Sequence, residues 1–183
     1  MATPAWIAPC VPTLVRTAPS GPDWLHEIEH DGYRAISVID RGEVRTFTRR
    51  GLDWSARMPG ISQALAALKV RSAVIDGEAV MPGADGLPDF FALHAALARS
   101  SAPDAVLMVF DIMHLNGEDV RHSPLVERRN MLLSILRNSS PSLRFSHEIG
   151  GDGAAAFGAA REIVSPGGAG AREILARKSG LID

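Results

Sequence analysis

A chain of 183 residues can build one domain with a sizeable core, and 46% apolar with 22% charged residues is ordinary for a soluble globular protein. The net charge of −2 gives no overall basic footprint for nucleic acid, and the single cysteine, Cys10, excludes a disulfide framework or a cysteine-rich metal site. No apolar run reaches the roughly 20 residues of a membrane helix, and the Pro-broken start MATPAWIAPCVPTLV lacks the basic segment of a signal peptide, so a cytoplasmic location without a membrane partner is expected.

Residues 1–23 are Pro-rich and read as an extended arm. WLHEIEH, YRAISVID and EVRTFT follow as strands, with breaks at Asp31-Gly32 and Arg41-Gly42 that suit tight turns, so an antiparallel meander is expected. MPGISQALAAL is helical, with Ile61, Leu65 and Leu68 on one face. SAVIDGEAVMPG is a strand, and DFFALHAALARS a helix that Asp89 can cap. The continuous apolar run AVLMVFDIMHL suits a central strand covered on both faces. SPLVERRNMLLSILR is a helix with Ser123 at N-cap and Pro124 at N1. LRFSHEI is a strand, DGAAAFGAAREIV a short helix and AREILARKSGLID a last strand. The mixed order, with antiparallel pairings, predicts an α+β fold of mainly antiparallel sheets with packed helices.

HEIEHDGYR (residues 26–34) fits two patterns. Read from His26 it is H-E-x-x-H, which holds zinc only on a helix, where positions i and i+4 share a face. Here the segment lies between Gly21-Pro22 and Asp31-Gly32 and reads as a strand. On a strand His26 and His30 stand about 13 Å apart, at ~3.3 Å per residue, too far for one zinc. The other histidines, His94, His114, His122 and His147, sit in no ligand motif. Hydrogen-bonded or solvated strand histidines are expected instead.

Read from Glu27, the same stretch is followed in order by FTRRG (47–51), VIDGEAV (74–80) and VFDIMHLNGEDV (109–120). Together with PCVPTLV…PSGPDWLHEI, LVERRNMLL and RFSHEIGGDGAAAF, these resemble the ATP-dependent DNA ligases, and in particular the ligase domain of bacterial end-joining ligases. The resemblance covers roughly residues 8–160 and implies an incomplete nucleotidyltransferase (ATP-grasp-like) adenylation domain over residues 24–183. It implies ATP and Mg2+ as cofactors, and DNA and other repair or end-joining proteins as partners. In the family a lysine attacks the α-phosphate of ATP and holds AMP as a phosphoramidate; Glu29 stands at that position. The resemblance makes Glu27 an adenine contact, Asp31-Gly32 the turn of close backbone approach, and Arg34 a ribose or phosphate contact. Likewise it makes Arg49 a contact to terminal phosphates, Glu78 a carboxylate near ribose and metal, and Phe110 the ring stacked on adenine.

Three departures shape the functional expectation. Glu29 removes the amine, and the chain has only Lys69 and Lys178 against seventeen arginines, which stay protonated and cannot replace it. A carboxylate could attack phosphorus, but it would give a labile mixed anhydride. The family's Glu-Gly-Ile-Val-Ser-Lys motif has two candidate places, REIVSPGG from Arg161 and AREILARKSG from Ala171; neither has Glu-Gly, and its Lys becomes Pro166 or Arg177. No oligonucleotide-binding domain is expected. The resemblance thus implies a DNA ligase-family domain for repair and recombination that is inactive in self-adenylation. The alternative is a non-catalytic nucleotide- or DNA-binding module working with repair partners, supported by five arginines between Arg41 and Arg57.

Overall fold

The computed structural model describes residues 5–84, 86–149, 155 and 174–178. In chain order the elements are β1 (Trp24–Ile28), β2 (Tyr33–Asp40), β3 (Glu43–Thr48), α1 (Pro59–Ala66), β4 (Ser72–Val80), α2 (Phe90–Arg99), β5 (Val106–Leu115), β6 (Glu118–Asp119), α3 (Leu125–Leu136), β7 (Leu143–Phe145) and β8 (Ile174–Lys178). Strands β3-β2-β4-β5-β6 form an antiparallel path, and β7 joins β5 in parallel. The fold is α+β, as the sequence predicts.

The meander is the point at which that expectation fails. β1 does not pair with β2; it forms a separate two-stranded sheet with β8, with Glu27 opposite Leu175 and Trp24 opposite Lys178. The reason lies in the turns. A two-residue hairpin needs positive φ at its first central residue (type II′) or at both (type I′). Arg41 and Gly42 have it, at 50° and 86°, and the β2–β3 hairpin closes there with Asp40 opposite Glu43. Asp31 and Gly32 have no positive φ, so they cannot fold β1 back onto β2. Gly32 serves another purpose: a Cβ there would lie 2.2 Å from the Ala79 carbonyl oxygen. Its missing side chain lets the link between β1 and β2 lie directly on β4.

Alternation along the strands separates two faces. Ala35, Ile39, Ala73 and Ile75 join Ile61 and Leu65 of α1, Leu93 and Leu97 of α2 and Leu132 of α3 in the main core. Ile36, Val38 and Val74 face the other way, into a smaller core that Trp6 and Ile7 of the N-terminal arm pack against. Asp89 caps α2 as expected, its carboxylate accepting from the Ala92 amide. The N-cap expected of Ser123 falls instead on Pro124, whose ψ of 146° is extended, so α3 starts one residue later. The expected strand LRFSHEI is regular only over Leu143–Phe145. The expected helix DGAAAFGAAREIV lies, except for Ala155, outside the described residues.

Two glycines allow a comparison. At Gly32 an added methyl meets backbone, and overpacking typically costs about 1–3 kcal/mol; at Gly42 it meets open space but must adopt φ +86°, a left-handed strain of about 1–2 kcal/mol. Thermal melts are expected to show Gly32→Ala as the more damaging change. Equal losses would show that the link between β1 and β2 yields freely.

Candidate functional site

Directly paired residues of antiparallel strands share a face. Arg34 lies opposite Glu78, Ile36 opposite Asp76 and Val38 opposite Val74, so charge begins on the face where the smaller apolar core ends. Tyr33, one residue earlier, turns to the helix side and bonds His94 Nδ1 through its hydroxyl at 2.8 Å. Arg34 holds Asp76 with Nε at 2.5 Å and Nη2 at 2.8 Å, and its guanidinium lies over the Phe110 ring, 4.6 Å from the centroid.

A second set of charges is buried between β1, β5, α3 and β8. Asp111 takes Nε and Nη2 of Arg128 at 2.9 and 3.0 Å and Nη2 of Arg177 at 2.5 Å. Glu27 takes Nη1 of Arg129 at 2.5 Å, with Arg177 at 3.8 Å. Arg129 also donates to the carbonyls of Ser146 and Phe110, at 2.8 and 3.3 Å, and reaches Glu148 at 3.4 Å. Arg177 lies over the Phe110 ring as well, at 5.3 Å. Burial pushes the Glu27 carboxyl upward, against the downward pull of Arg129 and Arg177.

Glu27, Arg34, Glu78 and Phe110 therefore lie near one another, linked through Arg34 and Arg177. Glu29 is half-buried just beyond β1 and close enough for its charge to act on Glu78. Arg49 is not part of this group. It sits in the exposed turn after β3, with no hydrogen bond or ion pair to the described residues. Of the two candidate places for the fourth motif, AREILARKSG supplies β8 and brings Arg177 to the site, whereas REIVSPGG lies outside the described residues. His26 and His30 hold no metal arrangement: their Nε2 atoms bond Pro19 O at 2.8 Å and Ser146 Oγ at 3.4 Å. Among the described residues no three His, Cys, Asp or Glu converge on a cation position.

The sequence reading misses Asp76, Asp111, Arg128 and Arg129 as site residues. Signals existed. Asp111 is the only acidic residue of a strand that is otherwise apolar but for His114 near its end. Leu125, Arg128, Arg129 and Leu132 follow the i, i+3, i+4, i+7 spacing of a buried helical stripe and are all buried.

The ATP dependent DNA ligase domain family matches residues 10–163. The multifunctional non-homologous end joining protein LigD of Pseudomonas aeruginosa is 40% identical over 151 residues, covering 81% of this chain and 18% of that protein. LigD of Mycobacterium tuberculosis is 32% identical over 139 residues, covering 76% and 18%. Among solved structures, a mycobacterial DNA ligase D complexed with ATP and MES superposes with a TM-score of 0.76 at 28% identity, covering 94% of this chain and 54% of that one. The ligase domain of M. tuberculosis LigD gives 0.69 at 27%, covering 88% and 50%. The chain thus spans under a fifth of these curated relatives and about half of the solved ligase domains.

Glu78 yields a pH prediction. Burial raises its carboxyl to about 8; Arg34 opposes this, while Asp76, Glu29 and Asp31 add to it. A group that keeps its proton when folded and loses it when unfolded makes stability fall as pH rises. That contribution is complete below the ordinary 4.5 and gone above about 8. Glu78→Gln is expected to flatten the fall, so that the variant melts above wild type at the alkaline end of the window and near it at the acid end. Parallel curves would mean that Glu78 is not the group that titrates.

Proposed function

The chain belongs to the ATP-dependent DNA ligase family, and from that premise we propose that it is an end-joining-type adenylation domain that has lost self-adenylation. The family implies ATP, a divalent metal and DNA. The observation that carries the loss is where the amines are. Glu29 occupies the nucleophile's place, and the two lysines are far from it. Lys178 is opposite Trp24, and β1 runs roughly 13 Å from Trp24 to Ile28, at ~3.3 Å per residue, before Glu29 is reached. Lys69 precedes β4 at Ser72, the end of the strand away from Glu78. Neither lysine stands at the nucleophile's position in the sequence.

Incubation with α-labelled ATP and Mg2+ is expected to give no covalent AMP band; a band would overturn the proposal. Glu29→Lys is expected to give at most a faint adduct and no sealing of a labelled nick. The restored amine still lacks the Glu-Gly of the fourth motif, and removing one preorganised electrostatic group typically costs about 10²–10³ in rate. Robust sealing would make Glu29 the sole lesion.

A second reading, a DNA-binding module acting with repair partners, draws on one feature. Of the five arginines between Arg41 and Arg57, Arg41 and Arg45 pair with Asp40 and Asp53, and Arg57 donates to the Leu97 carbonyl. Arg49 and Arg50 stay exposed and unengaged by the described residues, open to phosphates. Retention of nicked duplex on filters is expected at low salt, to fall steeply as salt rises, and to weaken in Arg49→Ala/Arg50→Ala. Equal retention by the variant would remove these two residues from the reading.

A further inference from the structure

A preformed purine site without its nucleotide leaves the stacking ring and the reading edge open to water. Here both are closed. Phe110 is 5% exposed, and Glu27 is 1% exposed. One Glu27 oxygen is bound by Arg129, and the other has an accessible area below 1 Å². The geometry points to an adenine slot that the chain has filled with its own side chains: the guanidinium groups of Arg34 and Arg177 lie over Phe110, Arg129 holds Glu27, and the purine is excluded. The inference rests on the reading of Phe110 and Glu27 as purine-binding positions. It adds a second, independent lesion to the missing amine, in the purine contact.

The guanidinium carbons lie 4.6 and 5.3 Å from the ring centroid. Stacked aromatic groups need centroids about 4.5–7 Å apart, so a purine would claim the same space. Neither arginine is loose. Arg34 is tied to the buried Asp76 by two bonds, and leaving would strand that carboxylate. Arg177 donates to Asp111 and to the Phe110 carbonyl, at 2.5 and 3.1 Å. The filling has a sequence origin in AREILARKSG, where Arg stands in place of the family's Lys. A guanidinium is planar, weakly hydrated and stacks on aromatic faces; an ammonium is a compact, strongly hydrated point charge. The exchange keeps the charge and changes the shape. Arg177 is also the removable part, because Asp111 retains Arg128 when Arg177 is gone.

Calorimetric titration of the full chain with adenosine tests the slot. Adenosine has no phosphate and cannot form an adduct, so its binding is separate from the adenylation result. Wild type is expected to give no saturable heat at millimolar adenosine, and Arg177→Ala to bind at least tenfold more tightly. Adenosine binding by wild type as tight as by the variant would overturn the inference while leaving the absence of an AMP adduct intact. A folded Arg177→Ala that gains nothing would overturn it too. Should the variant fail to fold, wild type alone decides by side-chain NMR. The Arg177 Nε–H resonance is expected to carry a ring-current shift that adenosine leaves unchanged; a resonance that moves on titration overturns the inference.

Discussion

Asp111 is the only charge in the ten residues of β5, and it is neutralised from two directions, by Arg128 of α3 and Arg177 of β8. Glu27 of β1 is held in turn by Arg129, the neighbour of Arg128 on the helix. These pairs tie the small β1–β8 sheet to the large one through α3. Stripping one partner from a buried ion pair typically costs about 3–5 kcal/mol, because the other charge is left in a medium that cannot solvate it. The docking of β1 and β8, and with it the position of Glu29, therefore depends on the arginines of α3 and β8.

The large sheet supplies the rest by simple alternation. One face of β2 and β4 is mainly apolar, interrupted by Ser37 bonded to Thr46, and packs against the helices. The other begins apolar, under Trp6 and Ile7, and becomes charged at Asp76, Arg34 and Glu78. The charged end is where β1 and Gly32 approach β4. Close approach removes water from Glu78, which is why its carboxyl is pushed up to about 8. A carboxylate at position 29 adds to that pressure, where a lysine would relieve it. The residue at position 29 thus bears on the charge state of Glu78.

Glu29 and Arg177 act on different parts of the proposed loss. Glu29 bears on bond formation to phosphorus, and Arg177 on the place of the base. Both are single positions on a fold that superposes on a DNA ligase D with a TM-score of 0.76. Binding chemistry can be lost without loss of the fold, because the packing of Ile36, Ile75 and Leu107 is indifferent to what stands at the sheet's polar end.

The sequence by itself determined the family, the α+β class and most of the elements, and it singled out Glu27, Arg34, Glu78 and Phe110, which the fold brings near one another. Periodicity and ordered motifs are local properties, and a strand's alternation dictates which residues share its face. Only the tertiary structure decided that β1 pairs with β8, because two turns of similar composition differ in φ. It alone decided that Arg128 and Arg129, charged residues on a helix, are buried, and that Arg177 comes to rest over Phe110. The last is a contact across 67 residues, set by the register of β8 on β1 and by the desolvation of Asp111. Neither cause is written in the residues next to it.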